Sequence, residues 1–121
     1  MSERSTRVAE LLREELSSMV TTELSDPRVA GVVVTSVDLT RDLRVAKVRY
    51  RLMTGADDEK TRKAAQEGLV RASGLLRREA TNRLSLHSAP ELIFTYDAGQ
   101  DARHRVESLL HEIAEENKKK G

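Results

Sequence analysis

Between Ala46 and Leu52 two kinds of residue alternate without a break: Ala46, Val48, Tyr50 and Leu52 on one side, Lys47, Arg49 and Arg51 on the other. A period of two fits a strand and no helix, so this segment belongs to a sheet with one apolar face and one cationic face. The apolar face needs a cover, and the flanking sequence supplies candidates for it. Upstream, Val32 to Leu39 is rich in β-branched residues and reads as a second strand, joined to the first by the polar Thr40-Arg41-Asp42, short enough for a hairpin.

The periods outside this hairpin are helical. Val8, Leu11, Leu12, Leu16, Met19, Val20 and Leu24 recur at spacings of three and four, which predicts a helix from about Arg4 to Leu24. Ser25-Asp26-Pro27 ends it, because proline disfavours helical geometry in the residue before it and has no N–H to donate. After the hairpin, Gly55-Ala-Asp-Asp58 offers a cap and favourable negative charge for a long helix. Its inward face is Ala65, Leu69, Ala72, Leu76, Ala80 and Leu84, and Arg62, Lys63, Arg71, Arg77, Arg78 and Arg83 fall mostly elsewhere. Gly68 and Gly74 each cost about 1 kcal/mol relative to alanine in such a helix, and a bend is expected at Gly74. Ala89-Pro90 closes the stretch, and Leu92 to Tyr96 reads as a third strand. A last helix from about Asp101 to Glu115 would bury Val106, Leu109, Leu110 and Ile113.

The order is α-β-β-α-kink-α-β-α, an α+β domain over residues 1–116 followed by a disordered basic tail at 117–121. A helical crossover between the second and third strands makes those two parallel, giving a small mixed three-stranded sheet. Helices on one face of that sheet leave Lys47, Arg49 and Arg51 on the other.

Composition removes several function classes. The chain has 121 residues and no cysteine, which excludes disulfides, thiolate metal sites and cysteine nucleophiles. His87, His104 and His111 do not sit at a ligand spacing that suggests a metal, and there is no phosphate-binding glycine loop, nucleophile elbow or paired carboxylate in an apolar setting. No enzyme, cofactor or small-molecule substrate is expected. No apolar run approaches the roughly 18 residues of a membrane helix, and the N-terminus lacks the apolar stretch of a signal peptide, so a cytoplasmic protein is expected.

The net charge of +1 conceals a segregation. Residues 1–40 carry four basic and seven acidic groups, residues 41–83 twelve and six, and residues 84–121 five and seven. Phosphate contacts need local positive charge, so the basic middle third points to a polyanion. Tyr50, Phe94 and Tyr96 are the only aromatics and all look inward, which leaves no platform for stacking bases. What remains is cationic contact from Lys47, Arg49 and Arg51 and from Arg71, Arg77, Arg78 and Arg83, suited to phosphates and shape. For any one arginine the plainer account is a surface side chain paired with a neighbouring glutamate.

Five motifs together extend this reading: Arg7-Val8-Ala9, Asp26-Pro27-Arg28-Val29, Asp42-Leu43 with Ala46-Lys47-Val48, Ala72-Ser73-Gly74 with Leu76-Arg77, and Pro90-Glu91-Leu92 before Phe94. In this order and spacing the chain, from about Arg4 to Leu110, resembles the bacterial ribosome-binding factor A family. The resemblance implies a single KH-like domain of type II in which the usual Gly-x-x-Gly loop is replaced by a kink of pattern Ala-x-Gly, here Ala72-Ser73-Gly74. It implies a non-catalytic assembly factor that binds immature small (30S) subunits through 16S rRNA and assists late maturation, with Arg71, Ala72, Ser73, Gly74, Arg77 and Arg78 on the RNA-facing side. It acts as a monomer in that reading, without a membrane. The alternative from another class is a protein–protein adaptor that uses its first and last helices and makes no direct RNA contact. The sequence departs from the family at Thr81-Asn82, where a glycine-containing turn would be expected.

Overall fold

The computed structural model describes residues 3–53 and 58–97. Helix α1 spans Glu3–Thr22, and a 3-10 turn follows at Pro27–Val29. Strands β1 (Val32–Leu39) and β2 (Val45–Leu52) form the hairpin, helix α2 runs Glu59–Arg83, and strand β3 is Glu91–Tyr96. The expected final helix at 101–115 and the tail at 117–121 lie outside the described residues, as do Gly55 to Asp57 of the expected cap.

The sheet is mixed with order β1-β2-β3, antiparallel between β1 and β2 and parallel between β2 and β3. The register sets Val34 opposite Tyr50, Val37 opposite Val48 and Leu39 opposite Ala46, with a bulge between Val34 and Ser36. On the other side Ala46 pairs with Leu92 and Val48 with Phe94. One face therefore collects the apolar side chains of all three strands. Helix α1 packs over β1, and α2 packs against β3 and the 3-10 turn. Leu12, Leu16, Leu69 and Leu76 are fully buried between the layers, with Val48 and Tyr50 beneath them. Burying each such side chain contributes about 1.5–3 kcal/mol.

The caps explain where α2 begins and ends. Asp58 accepts a hydrogen bond from the Thr61 backbone N–H at 2.7 Å, and the Thr61 side chain together with this backbone bond holds its carboxyl below the usual range. At the other end the Leu86 N–H donates to Thr81 O at 3.0 Å and the Ser85 N–H to Asn82 O at 3.3 Å, with Ser85 at φ 53. That pair of bonds is a Schellman cap with serine where glycine is usual. It supplies the turn that Thr81-Asn82 lacked in sequence.

The bend expected at Gly74 does not divide the helix: α2 is uninterrupted α-helix from Glu59 to Arg83. Close approach occurs instead at Gly68. A Cβ there would lie 2.8 Å from Val29 Cγ1 and 3.3 Å from Arg28 Cβ, so only glycine lets the 3-10 turn seat against α2. The turn itself is locked by Asp26, which accepts from the Arg28 N–H at 2.9 Å and from its guanidinium at 2.7 Å. Those bonds hold the Asp26 carboxyl below the ordinary range. The Asp26-Pro27-Arg28-Val29 motif is thus a docking device, and Val29 is fully buried.

Candidate nucleic-acid interface

The exposed side of α2 carries Lys63, Glu67, Val70, Arg71, Gly74 and Arg78. At 3.6 residues per turn these positions fall within roughly 100° of the helix circumference. Arg71 and Arg78 lie about one turn to either side of Gly74, and among the described residues neither is within ion-pair distance of a carboxylate, although Arg71 is near enough to help lower the Asp26 carboxyl. A Cβ on Gly74 would meet nothing within 4 Å, so the backbone between the two cations is open to approach. Ser73 is half-buried and donates back to Val70 O at 2.7 Å. Ala72 packs partly against the core. Lys63, placed off the inward face in sequence but not among the residues assigned to RNA contact, belongs to the same strip.

Two arginines expected on this surface are engaged elsewhere. Arg77 Nε donates to Pro90 O at 2.9 Å and its Nη2 to Ala89 O at 3.0 Å, tying α2 to the segment that leads into β3. Arg83 bridges the helices: its Nη2 is 2.6 Å from Glu23 Oε1, its Nη1 3.4 Å from Glu15 Oε2, and Glu79 is 3.8 Å away. Those carboxylates hold Arg83 even more firmly protonated and pull the Glu23 carboxyl below its ordinary range. The sequence pattern set Arg83 off the inward face, and the carboxylates that hold it most closely come from α1 and the residue after that helix, which spacing along α2 alone does not show.

The remaining candidates sit on the far side of the sheet. Lys47, Arg49 and Arg51 point away from both helices, as their alternation predicts. Lys47 is exposed, whereas Arg49 makes an ion pair with Asp38 across the hairpin, and Arg51 is half-buried. The structure therefore splits the sequence-derived set between opposite sides of one sheet. Thr35, at the bulge, donates to Arg49 O at 3.2 Å.

The aromatics face inward as expected. Tyr50 and Tyr96 meet edge to face at 5.8 Å, the Arg62 guanidinium lies 4.5 Å from the Tyr96 ring, and the Tyr50 hydroxyl donates to Gln66 at 2.6 Å. Gln66 in turn donates to Phe94 O at 2.9 Å, so one side chain joins α2 to β2 and β3. Burial raises the Tyr50 pKa. Among the described residues no group of three metal-binding side chains is assembled, and no helix is long and apolar enough to cross a membrane.

These features define a small KH-like α+β domain that offers cations and helix backbone in place of an aromatic platform. A sequence model for ribosome-binding factor A matches residues 4–110. The chain is 50% identical over 110 residues to the ribosome-binding factor A of Sorangium cellulosum, covering 91% of this chain and 88% of that protein. It is 41% identical over 117 residues to the one from Pelobacter propionicus, covering 97% and 93%. The crystal structure of ribosome-binding factor A from Thermus thermophilus superposes with a TM-score of 0.65 at 24% identity, over 76% of this chain and 94% of that one. The chain belongs to the ribosome-binding factor A family.

Proposed function

We propose that this protein binds the immature small ribosomal subunit through 16S rRNA and assists its late maturation as a monomeric, non-catalytic factor of the cytoplasm. The observation that carries this reading is the outward strip of α2 in a member of that family: exposed Arg71 and Arg78, with no ion-pair contact among the described residues, on either side of an open Gly74. Two cations one turn from exposed backbone suit phosphates and the shape of folded RNA, and they read little sequence. A few such contacts give salt-sensitive binding, which suits a factor that must leave when maturation ends.

The test is sedimentation of a cell extract through a sucrose gradient, with and without an Arg71→Ala/Arg78→Ala variant. The native chain should travel with free small subunits at low salt and be released as salt rises, and the variant should be released at lower salt. A native chain that stays at the top of the gradient at low salt would overturn the reading. Co-sedimentation unaffected by nuclease or salt would assign the chain to a protein–protein adaptor.

A further inference from the structure

A cleft of about 370 Å³ opens at the end of the domain where the N-terminal turn of α1, the β1–β2 turn and the α2–β3 loop converge. That volume falls within the roughly 300–1,000 Å³ of small-ligand sites. Its floor is aliphatic, with Val8, Leu39, Leu43, Leu86 and Pro90, and its rim carries Arg4, Arg41 and His87. Arg4 and Arg41 are exposed, and among the described residues neither has an ion-pair partner. The one acid at the rim is already committed: Asp42 accepts from the Thr40 hydroxyl at 2.7 Å and from the Arg44 N–H at 3.1 Å. Two arginines against one carboxylate still leave the rim with a net positive charge.

The backbone around the cleft is unusual as well. Among the described residues only two non-glycine residues have positive φ, Leu43 at 61 and Ser85 at 53, and both line it. Leucine is strongly disfavoured in that region, yet here it turns its side chain into the floor. Ser85 and Ser88 add hydroxyls that can donate or accept.

We infer that this cleft takes one unstacked nucleotide of RNA, with its phosphate at Arg4 and Arg41 and its base against the aliphatic floor. The inference rests on the reading that the chain binds rRNA, and extends it to a second contact. An aliphatic pocket with hydroxyls at its edge holds a splayed-out base without any aromatic ring. Arg78 lies seven residues before Ser85, about 10 Å along the α2 axis, so a strand gripped by the α2 strip has a short distance to travel to the cleft.

The experiment titrates the isotope-labelled full chain with a single-stranded pentaribonucleotide and, separately, with inorganic phosphate. The RNA should shift the amides of Leu43 and of Ser85 to Ser88. Arg4→Glu/Arg41→Glu should weaken that binding about tenfold, with the slope of log affinity against log salt shallower by about 1.4, two single-strand contacts at about 0.7 each. Unmoved amides overturn the inference, as does phosphate alone reproducing the shifts at equal concentration, which would mark a bare anion site. Small-subunit binding of the same variant is then compared with that of Arg71→Glu/Arg78→Glu. Loss in both supports the cleft, and loss only in the α2 variant overturns it while the proposed function stands. If neither variant weakens subunit binding, the inference is overturned and the α2 strip loses its assigned role too, while failure of the native chain to bind subunits at all is what would remove the proposed function.

Discussion

A Cβ at Gly68 would lie 2.8 Å from a methyl of Val29, while one at Gly74 would meet nothing within 4 Å. Val29 is fully buried and β-branched, so its methyl has nowhere to go, and the contact outweighs the helix propensity that alanine brings. Gly68→Ala should cost about 1–3 kcal/mol, the range of overpacked sites. Gly74→Ala should instead stabilise by about 0.5–1 kcal/mol, since its cost in the folded state is only glycine's freedom in the unfolded chain. Thermal melts of the two variants decide this. The account fails if Gly68→Ala melts at or above the native temperature, or if Gly74→Ala melts clearly below it. If the account holds, Gly74 owes its place to an approaching ligand, and Gly74→Ala should weaken subunit binding even as it raises the melting temperature.

At the scale of elements, α2 separates arginines that brace from arginines that are exposed. Arg77→Ala removes two charge-assisted bonds to the carbonyls of Ala89 and Pro90 and should cost about 2 kcal/mol, whereas Arg78→Ala should stay within about 0.5 kcal/mol of the native protein. Arg77→Lys should recover only part, because a point charge cannot fork to both carbonyls. Equal denaturation midpoints for the two alanine variants would contradict this division. The Arg83 cluster adds a pH dependence. The carboxyl of Glu23 is lowered by its bond to Arg83, so its stabilisation is present above its unfolded value of about 4.3 and is lost as pH falls toward the lower folded value. Arg83→Gln should flatten that part of the acid limb of a stability–pH curve, and an unchanged limb would remove the bridge from the account.

The alternation of Ala46 to Leu52 and the period of α1 were legible in sequence because each follows from spacing along one element, and the parallel third strand because a helical crossover dictates it. The fate of Arg77 was not, because it depends on which carbonyls a distant loop brings beneath it. Gly68 and Gly74 look alike in sequence for the same reason: one faces the 3-10 turn and the other faces open space. Arg4 and Arg41 come together with His87 only in the fold, where segments from both ends of the described chain converge.

For the molecule as a whole, the decisive fact is that its cations lie on both sides of one sheet. Lys47 sits on the open face with Ile93, its neighbour in the parallel register and 42% exposed, while Arg71 and Arg78 sit beyond the helices that cover the other face. Arg49 is spent on Asp38, so the open face presents less free charge than its composition suggests. A single RNA surface cannot touch both sides of a packed layer, and the side with open backbone beside exposed arginines offers the better phosphate contact. Arg71→Glu/Arg78→Glu should therefore lower affinity for isolated small subunits about tenfold or more and make the salt dependence shallower. Lys47→Glu should lower it by less than about threefold, in line with the loss of one distant charge screened over a Debye length of about 8 Å. Equilibrium binding measured at several salt concentrations tests the ranking. Equal and additive losses from the two faces would show instead that the domain is held between two RNA elements, one against each side of its sheet.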